Sequence, residues 1–374
     1  FRHYQLNKLN RGKFTVFSAR FQEQSTFANE TKVSAFYHSP HESNVAPMLK
    51  HLAGIAVFYE GLFCEFPYPE LRLVEFAYYP GMVFSEAGTI GLPEVLSWKA
   101  DLSGDGEDAM IGWLSYLLAH SWWEDQLIVA DVAGGMAIRE AISGYASNLY
   151  RRQVYSPDKF ARVKKKQMRK YFRALGQVDF TEPPLSDVYN EVLPARFKGQ
   201  MVLEQIESRI GQPALLRALR SFHQAHKGQP APYANILDLE KFILAETPSQ
   251  WYQRVSELFH EVVTFHAAIT DTQLQKLPIS DGESERFKAV VGLEAFKLKT
   301  QNLGEYERFA MDWPITLRIN NRKGELILQQ ELNMNSDNQN FEFELDQLPA
   351  EVVIDPESVL PSANTASRVR TFSL

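Results

Sequence analysis

The run Ser115-Tyr-Leu-Leu-Ala-His-Ser-Trp-Trp-Glu-Asp125, followed by Gly134-Gly-Met-Ala-Ile-Arg-Glu-Ala-Ile-Ser-Gly-Tyr145, restricts the fold more than any other part of the chain. Apolar residues recur at helical spacing on both sides of a Gly-Gly break, which predicts two helices joined by a tight turn. Each helix carries a residue with metal-ligating chemistry, His120 on the first and Glu140 on the second. Imidazoles at i and i+4 share a helix face and can hold one ion. Here the position four residues before His120 is Tyr116, and Leu117 stands next to it.

A chain of 374 residues is too long for one ordinary domain and suits two or three. Its formal net charge of −7 argues against a nucleic-acid partner. The one local basic run, Lys164-Lys165-Lys166 with Arg169 and Lys170, reads as a solvated helix face. A lone Cys64 excludes an intrachain disulfide and a cysteine-based zinc site. No apolar run reaches the roughly 18–20 residues that span a bilayer. The chain opens without Met or a signal-peptide pattern, in what reads as mid-domain, so the expectation is a piece of a longer protein.

Alternating side chains predict strands over Phe14–Phe21 and Lys32–His38, and residues 1–43 read as the end of an N-terminal β-domain. A helix follows from Asn44, a plausible cap, to about Phe66, where Pro67 and Pro69 stop it. Leu71–Tyr79 reads as a strand ended at Pro80-Gly81. From about 106 to 262 the pattern is helical, with helices over 107–126, 134–152, 157–174, 195–210, 213–226, 236–246 and 249–262. Short strands then follow at Phe287, Ile315, Leu326, Phe341 and Val352, with a hairpin turn at Asn320-Asn-Arg-Lys-Gly. That spacing predicts a C-terminal β-sandwich over 266–374.

The residues around His120 and Glu140 resemble those of the M1 family of zinc aminopeptidases, and most of all the M1-like domains fused to bacterial ABC-transporter permeases. The resemblance covers nearly the whole chain. Phe84-Ser-Glu-Ala-Gly resembles the segment whose glutamate, here Glu86, holds a substrate's α-amino group. Ala119-His120-Ser-Trp-Trp resembles the end of the zinc helix, and Arg139-Glu140-Ala-Ile-Ser-Gly-Tyr the segment that gives the third zinc ligand. Pro194-Ala-Arg-Phe-Lys-Gly199 resembles the segment whose tyrosine stabilises the oxyanion. The resemblance implies a multidomain α+β chain, with a thermolysin-like, mostly helical catalytic-type domain over 44–265.

The chemistry departs from that pattern. The first zinc histidine has become Tyr116, the general base Leu117 and the oxyanion tyrosine Arg196, which leaves His120, Glu140 and Glu86. Loss of a general base alone typically costs about 10²–10⁴-fold in rate. The expectation is a catalytically inactive M1-like domain, without a cofactor, that serves as an interaction, peptide-binding or sensing module. Its implied setting is the extracytoplasmic, periplasmic side of a bacterial membrane, as part of an ABC-transporter-associated protein with a peptide or protein partner. The alternative is an active zinc metallopeptidase with rearranged ligands, His120, Glu140 and Glu124.

Plainer readings stand beside these. His120 is expected to hydrogen-bond Glu140 as a core histidine, and Glu124 and Asp125 to form a solvated helix end. Trp122 and Trp123 read as core. His260-Glu261-Val-Val-Thr-Phe-His266 mimics a zinc motif, but its i+4 position is Thr264, so both histidines read as domain-junction residues. The pairs His38/His41 and His223/His226 read as surface histidines.

Overall fold

Consecutive buried residues in Thr31–Tyr37 and Glu70–Phe76 cover both faces of these segments, as in central parallel strands, and the site is assembled around their sheet. The computed structural model describes residues 15–77, 82–278 and 285–372. These fall into two units, Phe1–Pro157 with Pro184–His260, and Asp158–Pro183 with Glu261–Leu374.

The first unit opens with β1 (Gln22–Ala28) and β2 (Thr31–Tyr37), then α1 (Val45–Leu62), β3 (Glu70–Phe76), β4 (Phe84–Glu86) and β5 (Thr89–Pro93). The sheet order is β1-β2-β3-β5-β4, with β2, β3 and β5 parallel and the two edge strands antiparallel. Residues 1–43, read from the sequence as the end of a separate β-domain, thus place both of their described strands in the sheet of the next segment. Alternation marks a strand but does not say which strand it pairs with. The strand expected over Phe14–Phe21 begins instead at Gln22. Phe14 and the stop at Pro80-Gly81 lie outside the described residues. Phe17 stacks on Phe84 with ring centroids 5.4 Å apart, so its side chain packs without strand pairing.

Helices α2 (Asp105–Trp123) and α3 (Gly135–Val154) pack against each other, and β4 lies against α2. Three acidic residues in the first turn of α2, Asp105, Glu107 and Asp108, complement its dipole. From Met110 onward almost every residue of α2 is buried, as in a central helix. Gly134 makes the turn between the helices at φ 77°, a conformation that favours glycine. The chain then enters α4 (Pro157–Leu175), which passes into the second unit, although its helical period placed it within 44–265. It returns for α5 (Gly199–Ile210), α6 (Gln212–His226), α7 (Ile236–Ala245) and α8 (Tyr252–His260). Asn44 does not cap α1. Its amide donates to the carbonyls of Ser97, Trp98 and Ala100 at 2.7–3.1 Å, tying that loop to the helix start.

The second unit adds β6 (Val263–Lys276), β7 (Phe287–Asn302), β8 (Glu305–Ala310), β9 (Ile315–Asn320), β10 (Leu326–Leu332), β11 (Asn338–Leu345), β12 (Glu351–Ile354) and β13 (Val369–Thr371). They form two antiparallel sheets, β10-β9-β12-β13 and β11-β7-β6 with β8 on β7. Buried and half-buried residues alternate along β9, the pattern of a strand with one covered face. Lys164 departs from the solvated face expected of it. It is buried, beside the buried Asp355–Arg368 pair. No helix among the described residues is long and apolar enough to cross a membrane.

Candidate functional site

The first unit holds a cavity of about 250 Å³ lined by Val83–Glu86, Tyr116, Leu117, His120, Glu124, Asp125, Arg139 and Glu140. Three elements build it. The strand β4 brings Glu86, α2 and the turn after it bring Tyr116 to Asp125, and α3 brings Arg139 and Glu140. Of the positions matched to the family's site or offered as rearranged ligands, all except Arg196 reach this cavity.

Tyr116 and His120 do share one helix face, with ring centroids 4.8 Å apart. Their hydrogen bonds differ from the expected His120–Glu140 pair. The Tyr116 hydroxyl donates to Glu140, while His120 Nδ1 lies 3.3 Å from Glu124 Oε2. Arg139 completes the arrangement. Its Nε and Nη2 donate to Glu140 Oε1 at 2.9 and 2.6 Å, and its Nη1 donates to Glu124 Oε1 at 2.9 Å. One guanidinium therefore bridges carboxylates from two helices. Both Glu140 bonds fall on one oxygen, and all three are charge-assisted, which makes them strong. Burial pulls the Arg139 guanidinium down, but the Glu140 and Glu124 carboxylates more than offset it and hold it above its ordinary value. Burial, and then the Glu140 charge, push the Tyr116 hydroxyl up, so it stays a neutral donor.

Glu124 and Asp125 were expected in water. Instead Asp125 is buried and Glu124 nearly so, because the chain turns back after Trp123 and carries both into the cavity wall. Trp122 and Trp123 are fully buried. Arg196 sits in a π-helical turn, Pro194–Lys198, a distortion frequent at functional sites. Its guanidinium lies 3.5 Å over the Tyr116 ring and 5.3 Å from that of Trp113. Burial lowers its pKa, and this cation–π contact accounts for where it lies.

The zinc that the sequence resemblance implies does not fit this donor set. His120 Nε2 is buried without a hydrogen-bond partner and could serve as one ligand. Asp125 also lines the cavity, but among the described residues no three such side chains there bring their ligand atoms within 4.8 Å of one another. Glu140 is held by Tyr116 and Arg139, Glu124 by Arg139 and His120, and Leu117 has no donor atom. Among the described residues, the only three-residue group placed to hold a metal ion is His41, Glu75 and Glu94, outside this cavity. A dication here would also face the fixed charge of Arg139.

What the cavity does present is acceptors. Four carboxylates, those of Glu86, Glu124, Asp125 and Glu140, line it with one guanidinium and one free imidazole nitrogen. Glu86 accepts from the Thr15 hydroxyl at 2.9 Å and is half-exposed. The arrangement suits a small cationic group that donates several hydrogen bonds. Arg139 carried no role in the sequence reading. Its signal was its place beside Glu140, but adjacent helix residues do not ordinarily face each other.

Of the histidines expected at the surface, His41 and His223 depart from that role. His41 is half-buried with its Nδ1 2.5 Å from Glu75 Oε1, and His223 is buried against the Trp123 ring. His260, at the end of α8, lies 3.0 Å from Glu240, and His266 on β6 stacks on Phe296 at 4.5 Å.

No family model and no curated protein matches the sequence. Among solved structures, the fold is similar to that of Legionella pneumophila aminopeptidase A, determined in complex with aspartic acid. The TM-score is 0.61 at 13% identity, over 91% of this chain and 38% of that one, so this chain spans about two fifths of that protein's length. The chain has a peptidase-like fold, mixed α and β.

Proposed function

We propose that this chain is an M1-like aminopeptidase fold whose catalytic centre has become a metal-independent binding pocket for a primary amine, such as the free N-terminus of a peptide. One observation carries the reading. Arg139 bridges Glu124 and Glu140, so a side chain supplies the positive charge that a metal would bring to these carboxylates. Leu117 offers no group to activate water, and Arg196 is committed to the face of Tyr116. Binding without turnover remains, with Glu86, Asp125 and His120 Nε2 as acceptors around a donor-rich ligand. The proposed setting is extracytoplasmic, as part of a bacterial ABC-transporter-associated membrane protein that uses the module for interaction or sensing. The support for that setting is the resemblance of the His120 and Glu140 segments to such fused domains.

Calorimetric titration with a short free-amine peptide and its N-acetylated twin tests the pocket. The free peptide should bind at least about tenfold more tightly, a difference of about 1.4 kcal/mol. Glu86→Gln should remove most of that preference, and mass spectrometry should find the peptide intact. Equal binding of the two peptides would remove amine recognition. Stepwise trimming abolished by His120→Ala would instead establish the active-peptidase alternative.

A further inference from the structure

We propose that His41, Glu75 and Glu94 form a second site, for a divalent transition metal such as zinc, at the carboxyl edge of the five-stranded sheet. The three residues lie at or just beyond the ends of three neighbouring parallel strands. His41 lies in the turn after β2, Glu75 is the penultimate residue of β3, and Glu94 directly follows β5. The carboxyl ends of parallel strands are where ligands gather in sheets of this kind, because successive strands deliver side chains to one edge. One ligand atom from each residue lies within 4.8 Å of the others.

The donor set is chemically selective. One imidazole nitrogen and two carboxylate oxygens suit zinc and its first-row neighbours, whereas magnesium and calcium favour oxygen alone. Three protein ligands leave a fourth position for water.

Burial gives the second, independent reason. Glu75 is fully buried, and among the described residues no Lys or Arg forms an ion pair with it. Its Oε1 faces His41 Nδ1 at 2.5 Å, and its Oε2 accepts from the His38 backbone N–H at 2.8 Å. A desolvated carboxylate is costly unless a cation or several donors compensate it. One imidazole and one amide are sparse compensation; a dication shared with Glu94 completes it. Glu94 is half-buried at the same edge, and its Oε2 accepts from the Lys99 ammonium at 2.8 Å. On binding, the ion would replace the His41–Glu75 contact and compete with Lys99 for Glu94. Bound there, it would tie together the ends of β2, β3 and β5.

Equilibrium dialysis of the full chain, stripped with a chelator and then exposed to zinc alone, tests the site. About one equivalent should bind and raise the thermal midpoint. Cobalt should report a mixed nitrogen–oxygen site by its absorption. Glu94→Gln is half-exposed and leaves the Glu75–His41 contact in place, so it should fold normally and weaken zinc by at least about tenfold. His120→Ala should leave that zinc untouched, which separates this site from the cavity beside α2. Failure to bind zinc or cobalt would overturn the proposal, and so would binding that survives Glu94→Gln.

Discussion

An imidazole taken out of water resists protonation, and His223 on α6 is held that way. Burial first, and then the Lys227 charge, lower its pKa to about 4, opposed by a hydrogen bond to the Trp122 backbone. In the unfolded chain it returns to its ordinary value near 6.5. Between those two values the unfolded state binds a proton that the folded state refuses. Stability is therefore full above about pH 6.5 and falls as the pH drops towards 4. The expected loss from pH 7 to pH 5 is about 2 kcal/mol. Urea unfolding at the two pH values should show it, and His223→Gln should shrink the difference; an unchanged difference in that variant would clear His223 of the effect. At this scale sequence reading reached part of the site. His120, Glu140 and Glu86 were singled out by resemblance to family segments, and all three reach one cavity. Arg139 was not, because its bonds to Glu140 and Glu124 depend on where a long side chain folds back, which spacing does not encode. His41 and His223 were missed for a related reason. Glu75 is 34 residues from His41, and burial by a distant helix leaves no local mark.

Element by element, the helices were legible because apolar residues at period 3.6 and Gly or Pro breaks set both their course and their ends. The strand β6 was not located, and its first three residues, 263–265, were placed in the mostly helical domain. Val263 to Lys276 pairs with β7, a partner fixed only in three dimensions. The close approach of α3 and α5 was equally silent until Gly199 was placed. A Cβ there would lie 3.1 Å from Ala141 Cα and closer still to Ala141 Cβ. Gly199→Ala gains helix propensity of about 1 kcal/mol but overpacks the contact by more, so it should destabilise by about 1–2 kcal/mol. Gly61, near the end of α1, has nothing within 4 Å of such a Cβ. The same substitution there should stabilise, by about 0.5 kcal/mol. Paired thermal unfolding would show opposite signs; equal signs would mean that the α3–α5 contact has slack.

For the whole molecule, the proposed function rests on charge replacement, with Arg139 standing for a metal's positive charge inside a peptidase-like fold. The resemblance alone implied that restoring Tyr116→His and Leu117→Glu would rebuild a zinc-binding helix face. The geometry adds a condition, since Arg139 would still bind Glu140, the third ligand. Zinc affinity, measured by competition with a chromophoric chelator, tests this most directly. All proteins should carry Glu94→Gln, so that the sheet-edge site does not report. The unaltered cavity should hold well under one equivalent, and Tyr116→His with Leu117→Glu should bind weakly. Adding Arg139→Met to that pair should tighten zinc by at least about tenfold. One equivalent of zinc on the unaltered cavity, lost with His120→Ala, would contradict the account.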